Sequence, residues 1–183
     1  MAAHLHIAPA LAEMDKNRSV PSPIRVVLAD DHALMRHSLR VLLDGEEDVD
    51  VIAEAEDLAS AVRYVHSQKP HVLVLDLRMR GGSTIETIGE LRERAPEVKV
   101  VVLTMNDSPA FAQHALASGA LGFVVKEFAD TELPQAVRAA GRGEEYISPH
   151  VAPRLEVMRR SAHRSSVDAA RARGSAADRA WHP

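Results

Sequence analysis

The sequence predicts a doubly wound α/β fold, with five parallel strands in one sheet and helices on both faces. Two observations carry this reading. Five short apolar runs, mostly Val, Leu and Ile, start 21 to 28 residues apart. A segment of helical period follows each run. Continuous apolar runs, rather than alternating ones, suit strands covered on both faces, as in a parallel sheet.

The elements follow in order. Residues 1–23 lack periodicity and end in Val20-Pro21-Ser22-Pro23, so a flexible leader is expected there. Val26-Val27-Leu28-Ala29 is the first strand. Leu34, Ser38 and Leu42, beside Met35, Leu39 and Leu43, make two i, i+4 rows of a first helix, and Asp44-Gly45 stops it. Val51-Ile52-Ala53 precedes a helix over Leu58 to Gln68, and Val72-Leu73-Val74-Leu75 precedes one over Thr84 to Ala95. Val100-Val101-Val102-Leu103 leads to a helix from Ser108 to Ser118, with Ser108 as its N-cap and Gly119 as its stop. Leu121-Gly122-Phe123-Val124-Val125 leads to the last, Asp130 to Ala140, with Asp130 as N-cap and Gly141 as stop.

Composition narrows the function classes. A chain of 183 residues suits one domain with extensions, and 46% hydrophobic residues suffice for a core. No cysteine is present, which removes disulfide frameworks and thiolate metal sites and fits a cytoplasmic setting. No apolar run approaches the ~18 residues of a membrane span, and no secretory signal pattern is seen. Residues 1–153 hold 15 Lys+Arg against 23 Asp+Glu, whereas residues 154–183 hold 7 Arg against 3 acids. The acidic body argues against nucleic acid as its partner.

In doubly wound sheets, ligands bind beyond the carboxyl ends of the strands. Reading the residue after each run therefore locates chemistry. Asp30 and Asp31 follow the first, Asp76 the third, Thr104 the fourth and Lys126 the fifth. Alone, each reads as a cap, a loop solvator or a surface lysine; together they put three carboxylates, a hydroxyl and an ammonium on one edge. Crowded carboxylates raise one another's pKa, and a divalent cation relieves them. Oxygen ligands with room for water suit Mg²⁺. Such a site attracts phosphate, which Lys126 and Thr104 can reach, and Asp76 is then a competent nucleophile.

The chain resembles a response-regulator receiver domain, within it the NarL/LuxR type. The resemblance rests on Ile24-Arg25-Val26-Val27-Leu28-Ala29-Asp30-Asp31-His32 with Arg36 four residues on, Val74-Leu75-Asp76-Leu77-Arg78-Met79, Val102-Leu103-Thr104, Gly122-Phe123-Val124-Val125-Lys126 and Tyr146-Ile147-Ser148-Pro149. It implies a flavodoxin-like sheet ordered 2-1-3-4-5, a receiver over residues 24–146 and a linker or short helix over 147–160. It further implies that Asp76 is the phosphoacceptor, served by a sensor histidine kinase. Asp31 matches a direct Mg²⁺ ligand, Asp30 its acidic companion, and the Arg78 backbone carbonyl a third protein ligand. Thr104 matches the switch hydroxyl, Phe123 the aromatic switch position and Lys126 the phosphate-pairing lysine. The chain would be a phosphoacceptor rather than an enzyme, switching protein contacts through helices 4 and 5, where a phosphorylation-dependent homodimer could form.

Two positions depart from the family pattern. Arg78 stands where Asn is common, and Arg80 replaces a common Pro before Gly81-Gly82. Both bear on phosphoryl lifetime. His32 reads best as the start of the first helix.

Regulators of this type normally continue into a DNA-reading helix-turn-helix. After Pro153 the larger apolar residues are Leu155, Val157, Met158, Val167 and Trp181, too few for that core. A short helix over Pro153 to Arg160 and a disordered basic tail over 161–183 are expected. A truncated DNA-binding regulator is thus the runner-up, although DNA is not an expected partner of what remains. A Mg²⁺-dependent phosphohydrolase is the third reading; Arg78 stands where that class would want a second carboxylate.

Overall fold

The computed structural model describes residues 22–164. In chain order the elements are β1 (Ile24–Ala29), α1 (Ala33–Asp44), β2 (Val49–Ala55), α2 (Leu58–Gln68), β3 (Val72–Asp76), α3 (Thr84–Arg94), β4 (Lys99–Thr104), α4 (Pro109–Ser118), β5 (Gly122–Val125), a 3₁₀ turn (Lys126–Phe128), α5 (Ala129–Gly141) and β6 (Tyr146–Ile147). A last helix, α6, covers residues 152–164.

The sheet is ordered β2-β1-β3-β4-β5-β6, with every pairing parallel. The first five positions are those implied by the sequence. The sixth strand is an addition: Gly122 pairs with Tyr146 and Phe123 with Ile147. Two residues between Glu144-Glu145 and Ser148-Pro149 offer no periodicity to read, so the sequence alone places Ile147 in a linker.

Strand side chains alternate between two cores. Val27, Ala29, Leu73, Leu75, Val100, Val102, Phe123 and Val125 join one cluster, shared with α2, α3 and α4. Val26, Leu28, Val72, Val74, Val101, Leu103 and Val124 join the other, shared with α1 and α5. Both sets are buried. Period-two geometry sends successive residues to opposite faces, and apolar residues at every step are what a two-sided burial needs.

Local chemistry sets the helix ends. Asp57 caps α2: its Oδ1 accepts the Ser60 N–H at 2.7 Å. Ser108 sits at the N-cap of α4, where Pro109 opens the helix, but its hydroxyl makes no capping bond. Gly119 closes α4 at φ +118°, and a Cβ there would lie 2.6 Å from Arg92 Cδ. Helix α5 differs from expectation at both ends. The 3₁₀ turn carries the chain into it, so Phe128 is the N-cap and Asp130 lies in the first turn, where its charge suits the helix dipole. Gly141 belongs to the helix and Arg142 caps it.

The C-terminal helix is more than a linker. Val151 and Leu155 are fully buried in the cluster that holds Ala112, Ala115 and Phe123, and Met158 packs against it. Arg154 donates to the Asp107 carboxylate at 2.6 Å and to its carbonyl at 2.7 Å. The Phe128 and His150 rings stack at 3.8 Å between centroids. Residues 161–164, expected in the disordered tail, continue this helix. The leader through residue 21 and the tail from 165 lie outside the described residues.

Candidate functional site

Strand register assembles the site. Ala29 pairs with Leu75, which brings Asp30 level with Asp76. Asp76 pairs with Leu103, and Thr104 pairs with Val125, so Thr104 and Lys126 emerge at the same edge.

Lys126 is the hub. Its ammonium donates to Asp30 Oδ2 at 2.6 Å and to Asp76 Oδ2 at 2.8 Å. Asp30 is 0% exposed, Asp76 3% and Lys126 8%. Burial works against the charged ammonium, but its hydrogen bonds to Asp30 and Asp76, with their charges, outweigh that and raise its pKa. The second oxygen of Asp76 accepts the Arg78 backbone N–H at 3.1 Å.

The turn after β1 is held at several points. The Asp30 N–H bonds to the Ala55 carbonyl at 3.1 Å, and Asp30 Oδ1 accepts the His32 N–H at 2.8 Å. Arg36 Nη1 donates to the Asp30 carbonyl at 2.6 Å. Asp31 is treated differently. His32 Nδ1 lies 2.8 Å from its Oδ1, a contact that is an ion pair only with a protonated imidazole, and no hydrogen bond reaches this buried oxygen. Arg80 Nε stands 3.8 Å from the other oxygen. Asp30, Asp31, His32 and Asp76 each offer a ligand atom within 4.8 Å of the others. Three acids face one bridging ammonium, and one acid keeps an orphaned oxygen. An unpaired buried acceptor is costly, and a hard cation satisfies it.

Of the residues singled out from the sequence, Asp30, Asp31, Asp76 and Lys126 thus meet in one cluster. Thr104 is buried at the same edge, its hydroxyl accepting the Asn106 N–H at 3.1 Å. Phe123 lies further back, fully buried among the core residues of β5. Arg78 projects outward, and its backbone N–H is what touches Asp76. His32 occupies the α1 N-cap, as read, but also joins the acid cluster. Glu54, whose carboxylate faces Arg36 and Arg40, was not singled out. Nothing local marks it, because its partners lie on α1.

A parallel α/β sheet with acids, a hydroxyl and a lysine at its strand ends defines a class of phosphate-handling signalling domains. Residues 26–138 match the response regulator receiver domain family, and the chain belongs to it. It is 38% identical over 125 residues to the oxygen regulatory protein NreC of Staphylococcus haemolyticus, covering 68% of this chain and 58% of that protein. It is 35% identical over 132 residues to the transcriptional regulatory protein DegU of Brevibacillus brevis, covering 72% and 56% respectively. The match therefore spans little more than half the length of these relatives. Among solved structures, the signal receiver domain of the putative response regulator NarL from Mycobacterium tuberculosis is 33% identical with TM-score 0.65, covering 68% of this chain and all of that one. A LuxR-family two-component response regulator from Aurantimonas sp. SI85-9A1 is 33% identical with TM-score 0.72, covering 75% and 99%. Among the described residues no helix is long and apolar enough to cross a membrane.

Proposed function

We propose that this chain is a two-component receiver that accepts a phosphoryl group on Asp76 from the phosphohistidine of a sensor kinase in the cytoplasm. The observation that carries this is the buried Lys126 bridge between Asp30 and Asp76 at 2.6 and 2.8 Å. An Asp76 oxygen attacks phosphorus as the bond to the kinase imidazole breaks, and the imidazole leaves with the electron pair. Lys126 follows the developing charge without having to be recruited, which is the usual contribution of a preorganised cation.

Mg²⁺ fits the acid cluster, and the orphaned Asp31 oxygen supports it. Asp31, Asp76 and the Arg78 carbonyl would hold the ion, with Asp30 acting through water. When bound, it neutralises phosphoryl oxygens. Thr104 would exchange its bond to Asn106 for one to the phosphoryl group, moving the loop into α4. Phe123 is already buried, so the switch rests more on Thr104 and that loop than on ring movement.

Partner contact has a surface beside the site. Leu34 and Met105, 80% and 74% exposed, flank an apolar hollow of about 520 Å³ that reaches Lys126. That hollow suits a kinase helix. A phosphorylation-dependent homodimer through α4 and α5 would have to form around α6, which covers the α4 side. The proteins named NreC and DegU are regulatory, and a transcriptional output fits this chain as part of such a system.

Incubation with acetyl phosphate and Mg²⁺, followed by intact-mass measurement, tests the reading. One added phosphoryl group is expected on the wild type and none on Asp76→Ala. An unlabelled wild type sinks the reading, and equal labelling of the variant moves the acceptor elsewhere. Turnover of generic phosphate esters would favour a hydrolase instead.

A further inference from the structure

We propose that Arg36 is a positioning residue for the metal site: it fixes the Asp30–Asp31 peptide, and Glu54 aims it. This rests on the reading of the acid cluster as a cation site.

The peptide that joins Asp30 to Asp31 leaves the sheet just as the β ladder ends. Its carbonyl has no strand partner to bond. Arg36, one turn into α1, supplies the donor from Nη1 at 2.6 Å. Because a peptide unit is planar, holding that oxygen sets the plane from which Asp31 departs. This matters most for Asp31. Asp30 is also held by its own N–H, by the His32 N–H and by Lys126. No hydrogen bond reaches Asp31 Oδ1. Beside its carboxylate stand only two exposed side chains, His32 at 2.8 Å and Arg80 at 3.8 Å, so its aim leans more on the backbone before it than that of Asp30 does.

Arg36 is built for the task. Its side chain is only 16% exposed, and its Nε lies 3.5 Å from Glu54 Oε2 on β2. The other Glu54 oxygen accepts from Arg40 at 3.0 Å, and Arg40 reaches Asp44 at 3.2 Å. The guanidinium therefore lies beside the Glu54 carboxylate at Nε while Nη1 reaches the carbonyl. A planar fork can do both at once, whereas a lysine ammonium is a single point of charge. Glu54 also offsets the Arg36 charge, so the effect on the acids is chiefly one of geometry. Residues that orient metal ligands from behind typically cost 10- to 100-fold in affinity when removed.

The test is Mg²⁺ titration by calorimetry on the full chain, with Asp76 labelling by acetyl phosphate measured alongside. Arg36→Met is expected to weaken Mg²⁺ binding by about tenfold, and raised Mg²⁺ should restore labelling. Arg36→Lys keeps the charge but loses the fork, and should recover only part of the affinity. Mg²⁺ affinity within twofold of wild type in Arg36→Met, or full recovery in Arg36→Lys, overturns the proposal. If Arg36→Met fails to fold by circular dichroism, Glu54→Gln decides: weaker Mg²⁺ binding with an unchanged melting temperature in EDTA supports it, and unchanged binding overturns it. A wild type that neither binds Mg²⁺ nor labels at Asp76 defeats the underlying reading instead, and shows itself before any variant is compared.

Discussion

The Lys126 ammonium lies 2.6 Å from Asp30, a residue 96 positions earlier in the chain. That contact joins the end of the first strand to the end of the fifth, across the third and fourth, and the same ammonium binds Asp76 at the end of the third. Removing one member of a buried ion cluster is far worse than never having built it, because the remaining charges stay desolvated.

Lys126→Met is therefore expected to lose about 3 kcal/mol of stability in EDTA. Mg²⁺ should narrow that gap, since a cation in the acid cluster replaces part of the missing charge. Urea denaturation with and without Mg²⁺ measures both. A variant as stable as wild type in EDTA contradicts the hub role.

Phe123 is the largest fully buried side chain among the described residues. Truncation to Ala should cost about 3–5 kcal/mol, while Phe123→Leu, which removes fewer buried atoms, should cost clearly less. Phe123→Leu should still label at Asp76, because the ring is not among the groups around the acceptor. Denaturation curves and intact mass separate the two effects.

Arg138 pins α5 to the turn before β2. It donates to both Asp48 oxygens at 2.7 and 2.6 Å and pairs with Glu46. The Arg138 hydrogen bonds hold the Asp48 carboxyl below its ordinary value of 3.8. A depressed carboxyl stabilises the fold above its unfolded pKa and loses that contribution as pH falls through the folded one. Arg138→Gln should therefore be less stable near neutrality by about 0.5–1 kcal/mol, discounted for exposure. The difference should shrink as pH drops below 3.8. Thermal melts across pH check the sign; a gap that widens in acid contradicts it.

Leu155 tests whether α6 belongs to the folded domain. It is 1% exposed, so Leu155→Ala should cost about 2–3 kcal/mol. Arg154→Ala, which loses a half-exposed pair to Asp107, should cost under about 1 kcal/mol. If Leu155→Ala unfolds with an unchanged midpoint, the helix is not part of the cooperative unit.

Much of this was legible in the residues because two-sided burial writes itself as unbroken apolar runs. Val72 to Leu75 needed no context, and Asp76 stood out by ending it. Lys126 was found by the same rule at Val125. What escaped depends on distant partners. Tyr146-Ile147 became a strand only because the β5 edge was open to it. Leu155 looked like one of too few apolar residues for a second core, whereas it serves the first. Arg36 carried a motif but no visible purpose until Glu54 and the Asp30 carbonyl were placed on either side of it. Asp130 resembled a cap because a 3₁₀ turn gives no sequence warning.

The sheet also ends unequally. On one side β6 offers only two residues, too short a template for another chain to extend. On the other, β2 runs seven residues, but it holds the charged Asp50 and Glu54 and a register shift against β1. Both margins are thereby poor seeds for strand-on-strand growth. A protein whose interior is mostly Val and Leu thereby keeps its strands closed to self-addition.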